Sequence, residues 1–232
     1  MISTWDFGFR PWTWDFYTWL VAEIAAGATG VNFRLKNAKS TKWPMEESIK
    51  RFWNFIEPGP REMAGLPSTI DSGGFETGRA HGAQALPPGF RRLALVNCPQ
   101  TNGPRYTVTL RNTFHRVERN SDEKVWRAFA AQIGAHVIED SAIEPIGLRE
   151  RFTLYANADM NYGVPNGPVS TLWYTEYPLC MFSDPTNALS NKSWETQGIM
   201  IDDRMPWLMP NQYLVWQKPT LDNLLKAHAA VS

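Results

Sequence analysis

In the second half of the chain, short apolar runs alternate with stretches in which apolar residues recur at helical spacing. The apolar runs predict strands at 105–111, 135–139 and 178–182, and a further short strand that leads into a loop at 161–168. The helical stretches predict helices at 121–134, 148–157, 169–175 and 221–230. Strands separated by helices of this length predict a parallel sheet with crossover connections. We therefore expect an α/β protein with a Rossmann-like sheet and flanking helices.

The first ninety residues have a less regular pattern. Helical spacing predicts helices at 14–26 and 44–55, and a short apolar run predicts one strand at 31–35. Residues 57–90 are rich in glycine and proline and predict a long connecting region. The expected organisation is a reduced N-terminal α/β region at 1–90 and a Rossmann-like domain at 91–232.

The junction between Ala158 and Ser170 predicts the end of a strand that turns into a helix. Asn166 suits the N-cap, Gly167 permits a tight approach, and Pro168 suits the first helical position. Such a helix points free N–H groups and the positive end of its dipole into the loop, where a phosphate could bind. Most loops of this kind are capped helix starts that bind no ligand. The residues at the neighbouring strand ends must therefore indicate whether this loop binds one.

The composition and residue spacing of the chain argue against several classes of function. Lysine and arginine number 23, as do aspartate and glutamate, so the chain has no basic excess to attract nucleic acid. No run approaches the roughly 18 apolar residues of a membrane-spanning helix, and the N-terminus lacks the order of a secretory signal. The four histidines and two cysteines form no metal-binding spacing. We expect a cytoplasmic protein without a transmembrane segment, and neither a metal nor a cofactor.

Polar and basic residues follow the predicted strands at the points where they end. Because parallel strands place their carboxyl ends at one edge of a sheet, these residues should face one ligand site. The strand-end candidates for ligand binding are Arg111, Arg119, Asn120, Ser121, Asp140, Asn161, Gly163, Asn166, Gly167 and Ser170. Either Asn120 or Ser121 is the expected N-cap of the helix at 121–134.

Local charge favours an anionic ligand at this edge. Residues 89–127 carry eight basic and three acidic side chains. Guanidinium groups bind phosphate oxygens through paired hydrogen bonds, so an arginine-rich segment opposite a helix N-terminus suits a diphosphate. A single surface arginine is usually only solvated. Arg111 and Arg119 are the best candidates, since each lies in the segment that follows the first strand of this half.

These residues resemble a known family. The series Thr109-Leu-Arg111, Glu118-Arg-Asn-Ser121 with Trp126, a strand end at Asp140, and the segment 158–168 resembles the nucleotide-sugar half of two-Rossmann-domain (GT-B) glycosyltransferases. The resemblance covers about residues 100–185 and rests on element order and residue type. It implies that Arg111 and Arg119 neutralise the donor diphosphate, that Asn166, Gly167 and Ser170 contact it, and that Asp140 lies near the nucleoside.

The resemblance implies a glycosyltransferase that moves a sugar from a nucleotide-sugar donor to a glycan or other acceptor bound by the first half. The alternative is a non-catalytic module that binds a carbohydrate or a nucleotide. Aromatic residues crowd the N-terminus near Asp6, Arg10 and Asp15, where they could stack on a sugar or pack in a core. Inverting transfer needs a general base. Asp15 and Asp71 are the catalytic candidates, and Asp6 and His81 are further possibilities.

Overall fold

The computed structural model describes the backbone of residues 2–7, 30–35, 68–71, 102–112, 117–141, 148–195, 199–205 and 208–232. The helices predicted at 14–26 and 44–55 fall outside these residues, and so does the catalytic candidate Asp15. The described residues form two parallel sheets. The division of the chain at residue 90 stays a prediction.

The N-terminal sheet has three parallel strands in the order β1-β2-β3. These are β1 (Ile2–Phe7), β2 (Gly30–Leu35) and β3 (Ser68–Asp71). The sequence predicted β2 alone, because β1 mixes polar with aromatic residues and β3 has four residues inside a glycine- and proline-rich segment. Asp71, expected in a loop, is instead the last residue of β3 and pairs in register with Arg34.

The second sheet has five strands in the order β5-β4-β6-β7-β8, and all its pairs are parallel. They are β4 (Tyr106–Asn112), β5 (His136–Ser141), β6 (Met160–Gly163), β7 (Leu179–Phe182) and β8 (Gln212–Val215). The predicted Rossmann-like α/β class is confirmed. The strand β8 was missed because four residues among turn-forming neighbours give too short a pattern.

Helices connect these strands. They are α1 (Glu123–Ile133), α2 (Leu148–Ala156), α3 (Gly167–Ser170), α4 (Ala188–Glu195) and α5 (Leu221–Val231). Two 3₁₀ turns, Val117–Arg119 and Thr171–Tyr174, precede α1 and extend α3. The sequence missed α4, in which polar residues interrupt the apolar pattern. Within the described ranges, no helix combines the length and apolar character needed to cross a membrane.

The N-cap of α1 is neither of the two residues that the sequence predicted. Asp122 is the N-cap, and its Oδ1 accepts the N–H of Val125 at 3.2 Å. The expected caps, Asn120 and Ser121, lie earlier and contact Arg111 instead. Gly134 ends the helix with a φ of 66°, in the left-handed conformation that glycine adopts without steric cost.

Alternate residues of the strands give the second sheet an apolar face and a face of mixed polarity. Val108 and Tyr162 belong to a buried cluster with Trp126 and Phe129 of α1 and Leu224 of α5. The intervening positions of the same strands carry buried polar side chains, namely Thr107, Thr109, Asn161 and Gln212. The helices α1 and α5 therefore cover one face, and the other face combines these polar side chains with the buried apolar residues Ile138, Leu179 and Met181.

Candidate functional site

The strand order of the second sheet reverses between β4 and β6. The chain leaves β4, adds β5 on one side, and then returns to add β6 on the other side of β4. The connections that follow β4 and β6 therefore lead to strands on opposite sides of this pair. In doubly wound sheets, ligands bind at the carboxyl ends of the strands where the order reverses in this way. The crevice between the carboxyl ends of β4 and β6 is thus the candidate site.

Arg111 stands at the β4 side of this crevice and is held from both backbone and side chain. Its N–H donates to the Ser121 hydroxyl at 2.9 Å, and its carbonyl accepts the N–H of Ser121 at 2.9 Å. Its guanidinium donates to the Asn120 side-chain oxygen. The side chain is 6% exposed, although it is charged. Asn120 and Ser121, both expected as ligand-binding residues, here position Arg111.

Arg119 joins the two walls of the crevice. Its guanidinium donates to the carbonyl of Pro165, in the loop after β6, at 3.3 Å. The neighbouring carbonyl of Glu118 accepts the side-chain amide of Asn187, which lies after β7, at 2.9 Å. The turn at Val117–Arg119 therefore reaches across the ends of three strands. Asn187 was not among the sequence candidates, although its place after a strand end would have marked it.

Asn166 caps α3, as the sequence predicted, and its side chain has one unused group. Its Oδ1 accepts the N–H of Val169 at 2.8 Å, and its carbonyl accepts the N–H of Ser170 at 2.9 Å. Its Nδ2 is buried and has no hydrogen-bond partner. Most buried polar groups in proteins are paired, so an amide donor left over at a strand end calls for an explanation.

The helix after Asn166 differs from the expected one. It has four residues, Gly167–Ser170, before it tightens into a 3₁₀ turn. Pro168 has no N–H, and Asn166 accepts the N–H groups of Val169 and Ser170. The prediction of several free N–H groups and a sizeable dipole was therefore wrong. What this loop offers an anion is the side-chain amide of Asn166.

Two other candidates from the same segment contribute to packing. Asn161 lies within β6 instead of at its end, where its Oδ1 accepts the Thr107 hydroxyl at 2.6 Å. Its Nδ2 donates to the carbonyls of Tyr155 and Pro178 at 3.1 and 2.8 Å. Gly163 ends β6, and a Cβ added there would lie 3.2 Å from Cγ2 of Val169. Gly163 therefore permits the close approach of α3 to the sheet, and the amide of Asn161 is fully used inside it.

A cavity of about 130 Å³ lies on the β5 side of Arg111. Its walls include Arg127, which forms ion pairs with Glu123 and Glu139. Hydrogen bonds to Glu139 and then Glu123 raise the pKa of the Arg127 guanidinium. Ligand pockets usually measure at least about 300 Å³, so this cavity would hold only part of a nucleotide. Two carboxylates on its walls make it less suited to a diphosphate than the β4–β6 crevice.

For the candidates Asp140 and Asp71, the structure gives the position of the backbone. Asp140 lies in β5 and pairs in register with Arg111 on β4. Asp71 ends β3 in the other sheet. Across the described ranges, no three histidine, cysteine, aspartate or glutamate side chains gather closely enough to hold a metal ion. The described part of the site thus consists of two arginines and one amide donor.

Comparisons with known proteins give a small set of similar structures. No family model matches the chain, and no curated protein matches it. The bacterial iron-containing dodecameric glycosyltransferase TibC from enterotoxigenic E. coli H10407 is similar with a TM-score of 0.44 and 12% identity, over 95% of this chain and 63% of that one. The dodecameric iron-containing heptosyltransferase TibC in complex with ADP-D-β-D-heptose is similar with a TM-score of 0.46 and 13% identity, over 100% of this chain and 76% of that one. Similarity this low implies nothing about substrates.

Proposed function

We propose that the chain binds the diphosphate of a nucleotide sugar between the carboxyl ends of β4 and β6 and acts as a glycosyltransferase. The observation that carries this proposal is the contact between Arg119 and Pro165. It places a guanidinium one residue away from Asn166, whose buried side-chain amide donor has no partner. Arg111 stands across the crevice at the end of β4.

The chemistry of these three side chains suits phosphate oxygens. A guanidinium offers a planar fork of donors that matches two oxygens of a phosphate. A buried amide donor left unsatisfied costs the folded protein about 1–3 kcal/mol, and an oxygen of the ligand would recover that cost. A diphosphate supplies several oxygens, enough to accept hydrogen bonds from more than one of these donors. An anion of this kind is therefore the ligand that uses all three groups.

In a transfer reaction, the same groups would stabilise the departing diphosphate. Negative charge grows on its oxygens as the bond to the sugar breaks, and donors already held in place stabilise that charge without reorganising. Arg111 is held in this way by Asn120 and Ser121. The acceptor hydroxyl would lose its proton to Asp15 or Asp71, the two candidates for a general base. Asp140, in register with Arg111, would lie near the nucleoside.

Binding and turnover of nucleotide sugars test the proposal. A panel of UDP-, GDP- and ADP-linked sugars, including ADP-heptose, is titrated by calorimetry, and release of the nucleoside diphosphate is followed. Arg111→Ala and Arg119→Ala should each weaken binding by about tenfold to a hundredfold, since each removes a charged hydrogen-bond donor. Arg105→Ala is the matched control. Arg105 is an exposed, ion-paired arginine just before β4, at its opposite end, and its loss should change affinity less than twofold.

The outcomes separate the two functions. Absence of binding to every nucleotide sugar would overturn the proposal. Binding without release of nucleoside diphosphate would overturn the proposed enzymatic activity. It would support the alternative, a non-catalytic binding module. Where release does occur, the base is identified from Asp15→Asn and Asp71→Asn. The variant that lacks the base should bind the donor normally and lose about 10²–10⁴-fold in transfer rate.

A further inference from the structure

A second cavity, of about 150 Å³, lies next to Trp216, which follows the edge strand β8. Its walls come from α4, the segment at 199–201, and Trp216, which follows β8. The strand order places β6 and β7 between β4 and β8. This cavity is therefore distinct from the β4–β6 crevice, and nothing in the proposed transfer reaction requires it.

Two tryptophans give the cavity an apolar corner. The ring centroids of Trp194 and Trp216 are 5.7 Å apart, and the ring planes meet at 64°. The indole N–H of Trp194 donates to the Ser183 hydroxyl at 2.8 Å, and that of Trp216 donates to the carbonyl of Asp203 at 2.9 Å. Because both N–H groups bind protein atoms, the rings present carbon surface to the cavity. Ile199 extends this apolar wall.

One buried polar atom of the same cavity lacks a partner. The Nδ2 of Asn191 donates to the carbonyl of Pro185 at 2.7 Å, which fixes the orientation of the amide. The Oδ1 of Asn191 is buried and accepts no hydrogen bond. Glu195 lies one helical turn further along α4, on the same side of the helix, and is exposed. The polar wall of the cavity therefore offers acceptors and calls for a ligand that donates.

A strained turn shapes the rim. Met200 and Asp203 close a tight turn, in which the N–H of Asp203 donates to the carbonyl of Met200 at 3.1 Å. Asp202, inside the turn, has a φ of 70°, a left-handed conformation that is unfavourable for a residue with a side chain. The turn holds Met200 and Ile201 outward, 58% and 45% exposed. Strained backbone of this kind concentrates at functional sites.

We propose that this cavity binds one ring of a neutral sugar. The C–H face of the ring lies against the corner formed by Trp194 and Trp216, and a ring hydroxyl donates to Oδ1 of Asn191. The volume supports a single ring, because a cavity of about 150 Å³ is known to hold a benzene molecule. A plain aromatic compound would leave Oδ1 of Asn191 unpaired. A sugar ring combines an apolar face with hydroxyl donors at its edge.

The test uses the full chain and single-ring probes without a nucleotide. Methyl glucoside, methyl galactoside, methyl mannoside and N-acetylglucosamine are titrated by saturation-transfer NMR. A single ring has few atoms, so we expect a dissociation constant on the order of 1 mM for at least one probe. Asn191→Ala should weaken that binding about tenfold, and Met200→Ala about twofold.

Asn211→Ala is the matched control. The amide of Asn211 likewise donates to a carbonyl, that of Glu176 at 3.0 Å, and its Oδ1 is likewise buried without a partner. It is not among the residues that line this cavity. Loss of Asn211 should leave sugar affinity unchanged. If Asn191→Ala fails to fold, Glu195→Leu replaces it, because Glu195 is exposed, and we expect sugar binding about threefold weaker.

Three results would overturn this proposal. The first is that none of the four sugars binds. The second is that Asn191→Ala or its replacement binds them as the unchanged chain does. The third is that indole or phenol binds and the sugars do not. Arg111→Ala should retain sugar binding, so a failure of the nucleotide-sugar site and a failure of this site are separate results.

Discussion

The two ends of the same strands in the second sheet differ in how their polar groups are used. Near the amino ends, the amide of Asn161 makes three hydrogen bonds, and the Nε2 of Gln212 lies within 3.1 Å of three carbonyl oxygens. At the carboxyl end of β6, the amide of Asn166 caps a helix with its oxygen and has an unused donor. Asn161 and Asn166 are five positions apart in sequence, yet one is saturated and the other is not.

This difference separates a structural asparagine from a ligand-binding one. A saturated, buried amide contributes to stability, and the same residue type with a spare donor keeps some binding capacity for a partner that the chain itself does not supply. The amide of Asn161 therefore helps to hold the sheet together, and the amide of Asn166 keeps a donor for a ligand. Substitutions at the two ends should change different measured quantities.

The largest effect is expected at the saturated end. Asn161→Leu removes three hydrogen bonds. It leaves the Thr107 hydroxyl without its acceptor, and the carbonyls of Tyr155 and Pro178 keep only the backbone N–H groups of Ala158 and residue 161. We expect a loss of about 3 kcal/mol in the free energy of unfolding, since each of the three lost bonds contributes about 1 kcal/mol. Urea unfolding, followed by circular dichroism, measures this loss.

Asn223→Ala provides the control for that substitution. Its amide also donates to a carbonyl, that of Lys218 at 3.0 Å, but the bond is exposed. We expect a change under about 1 kcal/mol, because water replaces an exposed bond. Equal losses at Asn161 and Asn223 would show that saturation at the amino ends does not stabilise the sheet.

A smaller effect, of another kind, is expected at the open end. Asn166→Ser keeps an oxygen that can cap α3 and removes the amide donor. Serine and asparagine are comparable N-caps, so the free energy of unfolding should change by less than about 0.5 kcal/mol. Affinity for the nucleotide sugar should fall about tenfold, the equivalent of 1.4 kcal/mol. Calorimetry and urea unfolding of the same variant give both numbers. Lost stability with unchanged affinity would contradict the division between the two ends.

The smallest expected effect is on the pH dependence of the free energy of unfolding. It involves His228, which packs near the amino end of β4. The hydroxyl of Tyr162 lies 2.7 Å from Nδ1 of His228, and the His228 ring packs edge-on against Tyr106. Burial, and then the charge of Arg105, lower the pKa of His228. The folded protein thus binds this proton less readily than the unfolded chain. The stability that His228 contributes is present above its unfolded pKa of about 6.5 and is lost as pH falls through the lower folded pKa.

Unfolding free energy should therefore decrease between pH 7 and pH 5, and it should decrease less in His228→Gln. Urea unfolding at both pH values compares the two proteins. Identical decreases would mean that the contact between His228 and Tyr162 does not respond to protonation. In that case, the hydrogen bonds of Asn161 would be the contacts near the amino ends whose contribution to stability is tested.

The sequence predicted the fold class because β4 and α1 carry strong patterns. Five consecutive strand residues of β4 alternate between the two faces, and α1 ends at a glycine in the conformation that glycine favours. The sequence did not predict β1, β3 and β8, since strands of four to six residues with mixed polarity resemble loops. Strand order also remained unknown, because it depends on contacts between distant residues.

The site was predicted in part for a related reason. Strand ends can be found from sequence, so Arg111, Arg119 and Asn166 were selected correctly as residues of one edge. Asn161 was placed at that edge by mistake, because the position of a strand boundary within two residues decides which asparagine lies inside the sheet. The partners that saturate Asn161 belong to other strands and helices, and no local pattern reveals them.

The burial of Cys180 in β7 has a practical consequence. The thiol is fully enclosed, and burial raises its pKa to about 12, so it is neither accessible nor ionised in the folded protein. The chain has one other cysteine, Cys98. In a Cys98→Ser background, an alkylating reagent would modify Cys180 only when the sheet opens. The rate of labelling then measures how often this part of the second sheet opens in the absence of denaturant.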